Sequence, residues 1–349
     1  MLDDANVIKQ RDPGNALGVA ASEYQQATFD AKIEHAEHDG RPIGQVVVAG
    51  MGGSALAALL VGSWLRSELK VPFEVVRNYD LPAYVGHDTL VIVSSCSGNT
   101  EETLSALDQA QQRGAQIAVL TSGGTLLARA QEGGITHVVL PDRTKIEPRM
   151  STIAQTRALV QLLSHFDITS ADYYAQIAQQ ADWLEIATKS WTADVTTDKN
   201  SAKQLALLAV GKTAMFYGGA LTAPLAFKWK ISWNENSKNV AFWNELPEFN
   251  HNEFIGWSSH PVEKPYVVFD LKSSFEHPRI LTRFDVSDRL LSGMRPKAVP
   301  IELQGDSALG QLLWGCVLAD FVSIYVAILN GVDPTPVKLV EKLKNELVA

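Results

Sequence analysis

Cysteine is scarce in this chain: Cys96 and Cys316 are the only two among 349 residues. Two thiols so far apart make neither a disulfide framework nor a paired metal site, and they point to a reducing, cytoplasmic setting. Positive charge is also in deficit. There are 30 Lys and Arg against 39 Asp and Glu, a net charge of −9, which argues against a sequence-independent grip on nucleic acid. The N-terminus, MLDDANVIKQRDPGNALG, lacks the apolar core of a secretory signal. Apolar runs of membrane-spanning length are confined to residues 308–329, and that stretch contains Gln311 and Asp320 between short polar flanks. It reads as a buried helix, so no membrane partner is expected. A His-rich zinc cluster is missing too, so no metal and no redox cofactor is expected.

What is present is a packed α/β chain. Hydrophobic residues make up 46% and charged residues 20%, the balance of a folded protein long enough for two domains. Residues 1–40 read as a helical segment ending at Gly40. Over 41–150, apolar β-branched runs (QVVVAG, FEVVRNY, DTLVIVSS, AQIAVLTSGG, THVVLP) alternate with helical patterns. Such alternation specifies a doubly wound parallel sheet flanked by helices. Residues 151–200 read as a helical linker. The alternation returns more weakly over 201–335, with strands at KTAMFYGG, YVVFDL and KAVPIEL and a helix near Ser287 to Met294. Residues 336–349 form a C-terminal helix. Two related α/β domains are therefore expected.

In parallel sheets ligands sit at the carboxyl ends of strands, and two unusual turns fall there. GMGGSA (Gly50 to Ala55) only approximates a dinucleotide fingerprint, because position 55 is Ala and the second strand ends at Arg77-Asn78-Tyr79 without an acidic residue. A nicotinamide cofactor is thereby set aside. SSCSGNTEETL (Ser94 to Leu104) crowds hydroxyls into a strand end and then starts a helix with acidic residues, capped by Asn99 or Thr100. A hydroxyl-rich turn at a helix N-terminus suits an anion. Ser54 at the start of the preceding helix repeats that logic, so both turns can converge on one phosphate.

Two further constellations carry acid–base chemistry. Arg149, in Glu147-Pro148-Arg149, follows the last strand of the first domain, where a guanidinium can stabilise a developing oxyanion. Downstream, Glu235 lies in WNENSK (Trp233 to Lys238) and His251 in EFNHNE (Glu248 to Glu253). A Glu and a His together can supply the base and the second acid–base group for proton transfer beside a carbonyl. Glu245, Glu248 and Glu253 compete for the base on spacing alone.

GMGGSA, SSCSGNT and Thr121-Ser122-Gly123-Gly124 together resemble the sugar isomerase (SIS) domain. With EPR, NENSK and LPEFNHNE added, the chain from about Gly50 onward resembles the bifunctional phosphoglucose/phosphomannose isomerase family, with two SIS domains in tandem. The resemblance implies that Gly53, Ser54, Ser95, Ser97 and Thr100 bind the phosphate of a hexose 6-phosphate. It maps the base onto Glu235, the ring-opening group onto His251, and a catalytic lysine onto the C-terminal helix, at Lys344 with Lys342 and Lys338 as alternatives. It also implies a homodimer in which the histidine is shared across the interface. One departure is Cys96, where close relatives often carry Tyr. Two alternatives remain: another SIS phosphosugar isomerase, against which no amidotransferase domain with a leading Cys is visible, or a non-catalytic phosphosugar-binding regulator.

Overall fold

The structure is a computed structural model that describes residues 1–142, 144–259 and 263–347. The chain divides into two compact units. The first comprises Ser22–Glu185 with Gly305–Leu313, and the second Met1–Ala21, Ile186–Gln304 and Trp314–Ala349. This division differs from the segmentation read off the sequence: residues 1–21 belong with the second unit, and 151–185 with the first.

The first unit is built on strands β1 (Ile33–Glu34), β2 (Gln45–Gly50), β3 (Phe73–Val76), β4 (Thr89–Ser95), β5 (Gln116–Thr121) and β6 (Thr136–Val139). Their order is β1-β6-β5-β4-β2-β3, parallel except for β1, which pairs antiparallel with β6. Every residue of β4 is buried, as expected of a central strand covered on both faces. Register aligns the strand ends, with Gly50 opposite Ser94 and Ser95 opposite Thr121. The chain leaves β2 for β3 on one side and returns to β4 on the other, so the order reverses between β2 and β4. That reversal opens a crevice at the carboxyl ends of the two strands. Val47, Val91, Val93, Val119, Leu107 and Leu126 form part of the core around them.

The helix expected up to Gly40 stops short. A 3-10 turn covers Glu23–Thr28 and the chain then runs irregularly into β1. The backbone there is satisfied from elsewhere: the Phe29 carbonyl accepts from Arg157 Nε at 2.6 Å, Ala31 N donates to the Tyr174 hydroxyl at 3.1 Å, and the His35 carbonyl accepts from Thr136 Oγ1 at 2.8 Å. With these partners the segment needs no helical bonds.

The second unit has a wholly parallel sheet, order β10-β9-β7-β8, from β7 (Thr213–Gly218), β8 (Ala241–Glu245), β9 (Tyr266–Lys272) and β10 (Val299–Glu302). Strand β8, AFWNE, went unread in the sequence; it is an edge strand set between two polar motifs. The helix expected near Ser287 to Met294 instead spans Pro278–Leu290. Pro278 opens it, and His277 Nδ1 accepts from Arg279 N at 3.1 Å, a proline-first start that fits its fixed φ.

Two helices are joined to each other by buried polar residues. In chain order with the remaining helices as α1 (Ala5–Arg11), α2 (Ala16–Ser22), α3 (Gly53–Trp64), α4 (Glu101–Gln112), α5 (Gly124–Glu132), α6 (Thr152–His165), α7 (Asp172–Ala178), α8 (Ala181–Lys189) and α9 (Ser201–Ala209), they are α10 (Ala223–Ser237) and α13 (Ala308–Asn330); α11 (Glu253–Gly256), α12 (Pro278–Leu290) and α14 (Lys338–Leu347) complete the set. Helix α13 is long and apolar enough to cross a membrane, yet 89% of its apolar window is buried inside the protein. Two of its polar residues, Asp320 and Ser323, pair with α10. Lys228 Nζ donates to Asp320 at 2.6 and 2.8 Å, Ser232 Oγ to Asp320 at 2.7 Å, and Asn236 Nδ2 to Ser323 Oγ at 2.9 Å. Buried charges of this kind persist only when paired and hydrogen-bonded.

Asp270, near the end of β9, is buried, and that burial raises its carboxyl from 3.8 to about 7. A carboxyl with a raised folded pKa stabilises the fold fully below its unfolded value and loses that contribution as pH rises through the folded one. The cost is at most a few kcal/mol, given about 1.4 kcal/mol per unit. Asp270→Asn is therefore expected to narrow the fall in urea midpoint between about pH 4.5 and about pH 8. Parallel pH profiles for the two proteins would overturn this.

Candidate functional site

The hydroxyl-bearing residues read from the sequence converge in the first unit. Ser95 ends β4, and Ser97 and Thr100 occupy the turn before α4. Ser95 Oγ lies 2.9 Å from Thr100 Oγ1 and 3.4 Å from Ser97 Oγ, and Ser97 Oγ lies 3.3 Å from Thr100 Oγ1. Thr100 is the N-cap of α4 but makes no side-chain bond to its own helix. Its hydroxyl turns to the two serines instead, leaving the helix N-terminus without that ordinary satisfaction. Asn99, the other expected cap, serves a different helix: its Oδ1 accepts from Thr125 N at 2.9 Å, in the first turn of α5.

The neighbouring turns hold this cluster. Ser54 is buried and its Oγ accepts from Cys96 N at 3.2 Å, tying the GMGGSA turn to the β4 turn. Ser122 Oγ donates to the Cys96 carbonyl at 2.6 Å, and Leu126 N to the Gly98 carbonyl at 2.9 Å. Gly98 has φ 69°, and a Cβ there would lie 1.8 Å from the Gly123 carbonyl oxygen. Only glycine fits so close a backbone approach.

Arg149 is brought to the same region by its backbone. A Cβ on Gly53 would lie 3.0 Å from the Pro148 carbonyl oxygen and 3.4 Å from Arg149 N, so the 3-10 turn Pro148–Met150 rests on the start of α3. The Arg149 side chain is 1% exposed and its guanidinium lies 3.4 Å from Glu147 Oε2. Cys96 Sγ faces Ser151 Oγ at 3.9 Å, so the thiol packs beneath the turn. Three hydroxyls and a helix N-terminus at this strand end can receive a tetrahedral anion.

The matching turn of the second unit is already filled. Between β7 and α10, Leu221 N donates to both oxygens of Glu276 at 3.1 Å, and Thr222 Oγ1 lies 3.5 Å from Glu276 Oε2. Glu276 is buried, and a Cβ on Gly219 would meet its carboxyl carbon at 2.4 Å. The chain's own carboxylate thus takes the place of an anion there. Nothing in the local sequence signals this contact, because Leu221 and Glu276 lie on separate loops.

Glu235, partly buried, sits in the last turn of α10, and His251 is exposed at the end of the 3-10 turn Glu248–His251. Two competing carboxylates have other duties. Glu253 is bound by the Tyr217 hydroxyl and by Asn244 Nδ2 at 2.7 Å, and Glu248 accepts from Asn252 at 2.5 Å. Burial, with Glu253 beside it, pushes the Tyr217 phenol well above its ordinary value. Glu245 ends β8, exposed. Lys338, Lys342 and Lys344 are all exposed on α14, where Lys342 Nζ lies 3.6 Å from Glu346. Among the described residues no group of three or more His, Cys, Asp or Glu is arranged to hold a metal ion.

Comparison with known proteins agrees with these motifs. Residues 41–165 match the SIS domain, and residues 198–347 match the bacterial phospho-glucose isomerase C-terminal SIS domain. The bifunctional phosphoglucose/phosphomannose isomerase of Aquifex aeolicus is 34% identical over 307 residues, covering 88% of this chain and 91% of that protein. The protein of the same name from Caldicellulosiruptor bescii is 35% identical, with coverages of 87% and 90%. Among solved structures, a glucose-6-phosphate isomerase like protein from Thermus thermophilus superposes with a TM-score of 0.65 over 99% of this chain and 98% of that one. At 16% identity it shows the fold alone.

The Gly98 turn gives a direct test of the anion cradle. Gly98→Ala must displace either the β4 turn or Gly123, so affinity for inorganic phosphate should fall at least tenfold, about 1.4 kcal/mol, in titration calorimetry. Unchanged affinity in a folded variant would show that the anion binds elsewhere.

Proposed function

This chain belongs to the bifunctional phosphoglucose/phosphomannose isomerase family, and from that premise we propose that it interconverts glucose 6-phosphate and mannose 6-phosphate with fructose 6-phosphate. The observation that carries the reading is the Thr100 hydroxyl, turned from its own helix toward Ser95 and Ser97. These hydroxyls, with Ser54 and the backbone of Gly53, hold the 6-phosphate, and that remote grip orients the reacting carbons.

His251 and a lysine of α14, Lys344 by preference over Lys342 and Lys338, assist opening of the sugar ring. The Glu235 carboxylate takes the proton from C2 of the open aldose and gives it to C1, while the C2 hydroxyl proton passes to O1. The intermediate is a cis-enediol(ate), whose negative oxygen Arg149 stabilises. Glucose and mannose 6-phosphates differ only at C2 and share this intermediate, so one base serves both. The chemistry is proton transfer alone and calls for neither a metal nor a redox cofactor.

The proposal includes a cytoplasmic homodimer. Cys96 and Cys316 are both buried and neither is in a disulfide, in keeping with a reducing compartment. Val240, Phe242 and Ile255 are exposed around the His251 segment, and apolar surface of this kind suits an interface between two copies. Sedimentation equilibrium should return a mass of two chains; a monomer at assay concentration would remove this part.

The decisive assay is turnover of fructose 6-phosphate by wild type and Glu235→Gln, with both aldose phosphates measured. Wild type should form both. The variant should lose on the order of 10² to 10⁴ in kcat for both, while still binding the sugar phosphate. Binding by wild type without conversion would make the chain a phosphosugar-binding regulator instead.

A further inference from the structure

We propose that Lys238 is a positioning residue for the proton-transfer step, its ammonium pinning the last turn of α10, and with it Glu235, to the segment that leads into α14. The inference rests on the reading of Glu235 as the base.

The body of α10 is fixed by its ladder of polar contacts to α13, at Lys228, Ser232 and Asn236. These residues are four apart and share one face of the helix. Glu235 precedes Asn236 and points about 100° away around the axis, so the ladder holds the buried face of the final turn through Asn236 and leaves Glu235 on a face it does not touch. That turn is also where a helix runs out of its own bonds, because its last four carbonyls have no intrahelical partner.

Lys238 fills that role. It caps α10 in the left-handed conformation, at φ 57° and ψ 24°, where glycine is the ordinary occupant and a side chain costs about 1 kcal/mol. The side chain held there at that cost reaches acceptors on two separate segments. Lys238 Nζ donates to the carbonyl of Glu235 itself and to the carbonyl of Pro334 at 2.9 Å. Asn234 Nδ2 donates to the Asn239 carbonyl at 2.8 Å and closes the same turn from the other side. Pro334 lies four residues before Lys338, the first residue of α14. A single ammonium therefore joins the peptide bearing Glu235 to the stem of the helix that carries Lys338, Lys342 and Lys344.

The test uses the full chain with Lys238→Met, Lys238→Arg and Lys238→Gly. A displaced base costs turnover more than binding, and misplacements of about 1 Å cost on the order of 10²-fold. Lys238→Met is expected to lose about 10- to 100-fold in kcat with KM for fructose 6-phosphate within about twofold. Lys238→Arg should recover part of the loss. Lys238→Gly relieves the backbone, so its melting temperature should match or exceed that of wild type while kcat stays low. With C2-deuterated glucose 6-phosphate, both defective variants should return less label to C1 and release more to solvent. Wild-type kcat in Lys238→Gly, or a loss in Lys238→Met that appears wholly in KM, would overturn the proposal. Wild type without turnover sinks the functional reading and this inference with it. A wild-type-like Lys238→Met beside an inactive Glu235→Gln sinks this inference alone.

Discussion

The candidate anion site depends on the register of three parallel strands. Because β4 ends level with β2 on one side and β5 on the other, three turns leave the sheet at one height. Parallel pairing fixes that height through evenly spaced bonds, and a slip of one residue would exchange the two buried faces of β4 and carry its turn out of line with its neighbours. The turns then brace one another through short polar contacts: Ser54 to Cys96, Ser122 to Cys96, Asn99 to Thr125. Gly98 permits the closest of these approaches.

The second unit repeats the architecture with a different outcome. Its order β10-β9-β7-β8 again reverses beside the first strand of the unit, β7. A glycine turn again leads into a helix, yet Glu276 occupies the position of an anion. A carboxylate held by a backbone amide at a helix N-terminus is satisfied by the same amides and dipole that would attract a phosphate. The two fold copies therefore share a turn suited to an anion, and in the second unit the chain's own carboxylate fills it. Glu276 also holds the start of α10 through Leu221 N, the helix whose last turn carries Glu235.

Strand ends were legible because β-branched runs stop abruptly at hydroxyls and glycines, and the strands of both sheets other than β1 and β8 follow from that punctuation. The hydroxyl turns of the first unit were legible for the same reason, being contiguous with those strand ends. Other features depend on partners distant in sequence. Residues 29–40 carry a helical pattern, but Arg157, Tyr174 and Thr136 satisfy their backbone in an extended course. Strand β8 is short and forms only because β7 offers it an edge. The direction of the Thr100 hydroxyl depends on Ser95 and Ser97, and the left-handed turn at Lys238 on the Pro334 carbonyl. No local propensity carries such information.

The mutual bonding of Ser95, Ser97 and Thr100 bears on how substrate would be gripped. Each hydroxyl can both donate and accept, and beside their mutual contacts Ser95 Oγ accepts from Gly98 N and Ser97 Oγ from Asn99 N. A phosphate arriving there would replace neutral hydroxyl pairs with charge-assisted bonds, which are roughly twice as strong. The exchange strands no buried donor, and the turns that aim the hydroxyls are already locked by backbone contacts, so little ordering cost is charged against binding. Such a grip acts on a part of the sugar that does not react. Its energy would hold the open chain in one orientation, and discrimination between the two aldose epimers would be left to whatever surrounds C2.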